Sequence, residues 1–112
     1  MNTQSFNDNL NFSDERVVTK VLLETSFSKE IRILMKKGQV MKEHKAPFPI
    51  IVHVLEGEIE FGVKRSKHLL KQGSLISLEG KVPHDLLALE NCIVRLTLSK
   101  LDDIDRVNKV VE

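Results

Sequence analysis

Short apolar runs, each closed within a few residues by glycine, proline or a polar turn, restrict the fold of this chain more than any other feature. Val17 to Leu23, Ile31 to Met35, Ile50 to Leu55, Ile59 to Val63, Leu75 to Leu78 and Cys92 to Leu98 each have the length of a strand. Gly38, Gly57, Gly62, Gly73 and Gly80, with Pro47, Pro49 and Pro83, punctuate them. That rhythm predicts many short antiparallel strands in an all-β sandwich or barrel.

The rhythm changes at both ends. Residues 1–14 are rich in Asn, Ser and Asp and are expected to form a polar arm that gains order only by docking. Near the C-terminus Leu101, Ile104, Val107 and Val111 recur at helical spacing, which predicts a short helix over 100–111. Asp102 and Asp103 stand where a helix dipole favours negative charge, and Ser99 is a candidate cap.

With 112 residues, a chain has material for one small domain, which buries roughly two-thirds of its unfolded surface. A net charge of +1 and scattered basic residues argue against nucleic acid as a partner. Lys64, Arg65 and Lys67 cluster, but in a segment that reads as a solvated hairpin tip. No apolar run reaches the roughly 18 residues a membrane span requires. A single cysteine and an N-terminus without a basic, then apolar, leader lead to the expectation of a cytoplasmic protein. The absence of Trp and Tyr leaves little for a sugar-stacking or base-stacking surface.

Two spacings carry the functional signal. The first runs GQVMKEHKAPFPIIVHVLEG from Gly38 to Gly57, and the second GSLISLEGKVPHDLLA from Gly73 to Ala88. Together they resemble the two signature motifs of the cupin family. The first motif of that family is Gly, five residues, His, one residue, His, three or four residues, Glu, six residues, Gly. Gly38, His44 and Gly57 fall on it, with Ala46 at the second His and Ile50 at the Glu. The second motif is matched at Gly73 and His84, whereas Glu79, Lys81 and Ala88 replace its Pro, Gly and Asn. Gly80, one place early, is expected to do the turn's work, and Pro83 to hold the chain extended into His84.

The resemblance covers residues 30–98 and implies a double-stranded β-helix, the cupin jelly-roll barrel, with His44 and His84 close together inside it. It also implies a homodimer and, in a complete site, a bound metal ion. Positions two apart on a strand point to one face about 6.6 Å apart and can converge on an ion. Here Ala46 and Ile50 carry no donor atom. If four ligands are worth roughly 10–16 kcal/mol, two supply about half, which corresponds to micromolar to sub-millimolar affinity.

Other candidates are weaker. His53 differs in parity from Ile50 and is expected to face away from the pocket, as is Arg95. His68 follows a charged turn and reads as solvated. Cys92 shares the parity of Val94, Leu96 and Leu98 and reads as a small buried hydrophobe.

The expected site is therefore a pocket lined by His44, Ala46, Ile50 and His84, with Phe48 at its mouth. It is suited to an uncharged or partly apolar small molecule, with a weakly bound divalent metal as a further option. Two rival readings follow from the resemblance. One is a metal-dependent dioxygenase or isomerase that recruits an unusual third ligand to His44 and His84. The other is a regulatory or structural partner module with a vestigial pocket.

Overall fold

A computed structural model describes residues 1–111. Nine strands are followed by one helix: β1 Val18–Glu24, β2 Ser28–Met35, β3 Val40–His44, β4 Ile50–Glu56, β5 Ile59–Val63, β6 Ser66–Leu70, β7 Leu75–Leu78, β8 His84–Ala88, β9 Cys92–Ser99 and α1 Ile104–Val110. All strand pairs are antiparallel. They form a five-stranded sheet, β1-β2-β9-β4-β7, and a four-stranded sheet, β3-β8-β5-β6.

Side-chain alternation explains how the two sheets enclose one core. Ile31, Ile33 and Met35 on β2, Ile50, Val52 and Val54 on β4, and Val94, Leu96 and Leu98 on β9 point inward from the larger sheet. They meet Met41, Ile59, Phe61, Leu86 and Ala88 from the smaller one. Apart from Ala88, burying each of these side chains stabilises the fold by roughly 1.5–3 kcal/mol relative to exposure. Of the runs that read as strands, those in β2, β4, β5 and β9 fill this interior, together with residues of β3 and β8 outside those runs.

Local chemistry sets the turns. Val63 pairs with Ser66, which leaves Lys64 and Arg65 as a two-residue hairpin loop, and their φ values of 50° and 64° are both left-handed. Such loops match the twist of the flanking strands. Gly57, with φ 88°, joins β4 to β5, and a Cβ there would lie 2.5 Å from the Asn91 carbonyl oxygen. Only glycine fits that place.

The turn before β8 departs from expectation. Lys81, not Gly80, holds the left-handed conformation, with φ 68°. Gly80 serves close approach instead, since a Cβ on it would meet the Pro47 carbonyl oxygen at 2.8 Å. The position that is glycine in the resembled motif thus keeps the glycine-like backbone and carries a lysine.

The helix is shorter than 100–111, and its cap differs. Asp103 is the N-cap, its side chain accepting from the Asp105 N–H, while Ser99 Oγ accepts from Leu101 in the preceding turn. Val107 and Val110 are its buried residues, and Leu101 lies outside it, exposed. The arm has no strand or helix. It docks through its carbonyl oxygens, those of Phe6, Asp8 and Asn9 accepting from the Arg32 guanidinium. No helix among the described residues is long and apolar enough to cross a membrane.

Candidate functional site

His44 ends β3 and His84 begins β8, and the antiparallel register sets them directly opposite each other. Their ring centroids are 4.3 Å apart at 61° between planes. On its other side His84 stacks on Phe61, centroids 5.5 Å apart and planes 14° from parallel. That contact follows from the register, because β8 also pairs with β5 and brings Phe61 opposite Leu86, on the same face as His84.

Hydrogen bonding decides the chemistry of both rings. His44 Nδ1 lies 2.7 Å from the Lys42 carbonyl oxygen and His84 Nδ1 lies 2.9 Å from that of Val82. A carbonyl oxygen only accepts, so each Nδ1 carries the hydrogen and each Nε2 is left with a lone pair. Among the described residues neither Nε2 has a hydrogen-bond partner.

Both rings are held neutral. Burial is the main cause at His44, and with the nearby His84 and Arg106 it outweighs the Lys42 hydrogen bond and Asp85, lowering the pKa from 6.5 to about 4. Burial likewise lowers His84, assisted by the Arg106 charge. The pair is a double hydrogen-bond acceptor at neutral pH.

The space beside the two rings is small. A cavity of about 20 Å³ lies between the sheets, walled by His44, His84, Ile50 and other apolar strand residues, with Arg106 and Val107 of α1 closing it. That volume holds about one water molecule, whereas ligand pockets usually run to roughly 300–1,000 Å³. Arg106 is itself engaged: Nε and Nη2 donate to the two Asp102 carboxylate oxygens at 2.9 Å each, and Nη1 approaches the Lys45 carbonyl oxygen at 3.4 Å. Asp102 offsets its charge at the cavity wall.

Of the five residues expected at the pocket, His44, Ile50 and His84 come together around this cavity. Ala46 is buried in the core, and half-buried Phe48 packs its backbone against Gly80; neither lines the cavity. Arg106 and Val107 were not anticipated. The only sequence signal for Arg106 was Asp102 four residues before it, the spacing of a helical ion pair.

The remaining candidates lie elsewhere. His53 and Arg95 pair on the outer face of the larger sheet, and His68 is exposed on β6. Cys92 is fully buried, its sulfur 3.0 and 3.1 Å from the carbonyl oxygens of Glu90 and Glu58, and burial raises its thiol pKa. A thiol so placed is a poor nucleophile.

The outer face carries a second polar cluster that the sequence reading passed over. Glu30, 6% exposed, accepts hydrogen bonds from Ser28 Oγ at 2.7 Å, Thr97 Oγ1 at 2.6 Å and Arg95 Nε at 2.9 Å. Burial would raise its pKa, but the hydrogen bonds from Thr97, Ser28 and Arg95 and the Arg95 charge together hold it below 4.5.

No family model and no curated protein matches this sequence. Solved structures do. An RmlC-like cupin protein from Desulfovibrio desulfuricans superimposes with a TM-score of 0.79 at 23% identity, over 89% of this chain and 97% of that one. A conserved protein with a double-stranded β-helix domain from Klebsiella pneumoniae gives 0.78 at 18% identity, over 92% and 94%. A cupin 2 conserved barrel domain protein from Leptotrichia buccalis gives 0.72 at 26% identity, over 80% of this chain and 44% of that one. The fold is that of these structures, a small double-stranded β-helix barrel of the kind found in cupins.

A cupin metal centre does not fit the donors present. Ala46 and Ile50 offer no ligand atom, and among the described residues no group of three or more His, Cys, Asp or Glu side chains converges. Arg106 moreover brings a guanidinium to the same cavity. Two imidazoles are one short of the three protein ligands that catalytic zinc sites keep.

Proposed function

We propose that this protein is a non-catalytic barrel that binds a small, uncharged molecule beside His44 and His84. The observation that carries this reading is the pair of facing imidazoles whose Nδ1 hydrogens are donated to backbone carbonyls, leaving two neutral Nε2 acceptors. Such a pair recognises a hydrogen-bond donor, such as a hydroxyl or an amide N–H, and the apolar wall favours a partly hydrophobic body. A polyanion is disfavoured, because neutral rings offer it no charge and the one cation in the wall is already paired with Asp102. A divalent ion held by the two Nε2 atoms alone would be bound only weakly.

The reading includes a cytoplasmic location and a homodimer. Ile51 and Leu75, exposed and neighbouring on the outer face of the larger sheet, would supply apolar area for a second copy.

The test is a screen by NMR with small neutral alcohols, phenols and amides, alongside metal analysis of the protein purified without chelator. Selective perturbation of the His44 and His84 ring signals by such donors is expected, and His44→Leu should abolish it. Stoichiometric iron, zinc, nickel or manganese that is lost on His44→Ala would overturn the reading in favour of a metal centre.

A further inference from the structure

A site with room for about one water molecule cannot receive a ligand unless part of its wall moves, and the wall has two very different parts. Ile33, Ile50, Val52, Leu86, Leu96 and both histidines stand on strands paired within the two sheets. Arg106 and Val107 stand on α1, which belongs to neither sheet and joins the barrel through the turn that follows β9. Moving a strand breaks a ladder of backbone hydrogen bonds. Moving α1 breaks none within a sheet.

The ties between the helical segment and the barrel are few and can be named. Val107 and Val110 are buried against the core, Ile104 and Val111 pack on it in part, and Thr19 Oγ1 donates to Asn108 Oδ1 at 2.7 Å. Lys29 Nζ donates to the Asp102 carbonyl oxygen at 2.5 Å, and Arg106 Nη1 makes the 3.4 Å contact with the Lys45 carbonyl oxygen. The strongest polar interaction of the segment, Arg106 with Asp102, lies entirely within it. The ion pair can therefore travel with the helix unbroken.

We infer that α1 is the gate of the cavity: with Asp102 and Asp103 it swings away from the barrel as a unit, turning about Lys100 and Leu101, and uncovers His84 and His44 to a ligand. This rests on the reading that the ligand binds beside those histidines. Val107 then occupies, in the closed state, the space that the ligand takes in the open one. The apparent affinity is lowered by the scarcity of the open state, and whatever loosens α1 raises it.

Access to the buried ring can be measured without knowing the ligand. Diethyl pyrocarbonate acylates neutral imidazoles, and peptide mass spectrometry of the full chain follows each histidine separately, with exposed His68 as the reference. Val110→Ala and Asn108→Ala lie off the cavity wall and loosen α1; each is expected to speed modification of His84 by about tenfold while His68 is unchanged. Thr19→Cys with Asn108→Cys, joined by a short thiol-reactive crosslinker, is expected to slow His84 by a similar factor. Circular dichroism checks that each variant is folded.

An unchanged His84 rate in both the loosened and the crosslinked protein would overturn the gate. That result leaves the donor screen able to succeed, and a failed screen with gated His84 would refute the ligand reading alone.

Discussion

The barrel buries polar side chains on both sides of its framework, and the two sets are finished differently. On the outer face of the larger sheet the Glu30 carboxylate accepts from Ser28, Thr97 and Arg95. Inside, His44 and His84 each spend one ring nitrogen on a backbone carbonyl and keep the other free. A carboxylate held by three internal donors is a structural device, because its hydrogen bonds stay within the protein. Two acceptors kept unpaired beside a cavity make no hydrogen bond within the protein and stand ready for something that arrives. The outer set is not perfect: among the described residues buried Arg32 Nε lacks a partner, although the other guanidinium nitrogens hold the arm.

That contrast predicts unequal costs of removal. Glu30→Ala leaves Ser28, Thr97 and Arg95 without their shared acceptor and should cost about 2–3 kcal/mol in urea unfolding. His84→Leu, which keeps an apolar body against Phe61, should change stability by less than about 1 kcal/mol. A larger loss for His84→Leu than for Glu30→Ala would reverse the assignment of structural and functional roles.

Acid titration separates the two sets further. Unfolded imidazoles take up protons near 6.5, whereas folded His44 does so near 4. The unfolded state therefore binds more protons across that window, and stability falls as pH drops from 6.5 to 4, then levels off. Solvent screening at partly exposed His44 limits the loss to roughly 1–2 kcal/mol. Glu30 acts lower: its pKa lies below 4.5, so its contribution is present above that pH and is lost as pH falls further. The His44→Leu, His84→Leu protein should lose the upper phase only, and Glu30→Gln the lower one only, in unfolding curves collected from pH 7 to 3.

The smallest effect lies in the turn leading to His84. Lys81 sits at φ 68° without being glycine, so Lys81→Gly should raise stability by about 0.5–1 kcal/mol, read as a shift in thermal midpoint. Any loss of stability would mean that the lysine side chain contributes more than its backbone strain costs.

The strands legible in the sequence carry apolar runs, whether they fill the core, as β2, β4, β5 and β9 do, or lie at its margin, as β1 and β7 do; β8, which buries Leu86 and Ala88, is marked only by the second motif. β3 and β6 are edge strands, and they were harder to see because Val40 to His44 has a single buried residue, Met41, and Ser66 to Leu70 has only Leu70. The His44 and His84 pair was reachable only through the resemblance, since partners 40 positions apart in the chain meet through strand register that no local pattern encodes. Ala46 was placed at the pocket by motif spacing and Phe48 by its position between Pro47 and Pro49, and neither signal sees that the chain leaves β3 after His44. The closing wall was missed for a different reason. Helical periodicity in the last dozen residues says that one face is apolar, not which cavity that face covers.

The central claim is that both imidazoles are neutral, with hydrogen on Nδ1 and a free Nε2. Long-range proton–nitrogen correlation spectra of uniformly ¹⁵N-labelled protein at neutral pH test it directly. The account predicts, for His44 and His84, one protonated nitrogen assigned to Nδ1 and one unprotonated nitrogen assigned to Nε2. Hydrogen on Nε2, or a charged ring at neutral pH in either residue, would contradict it.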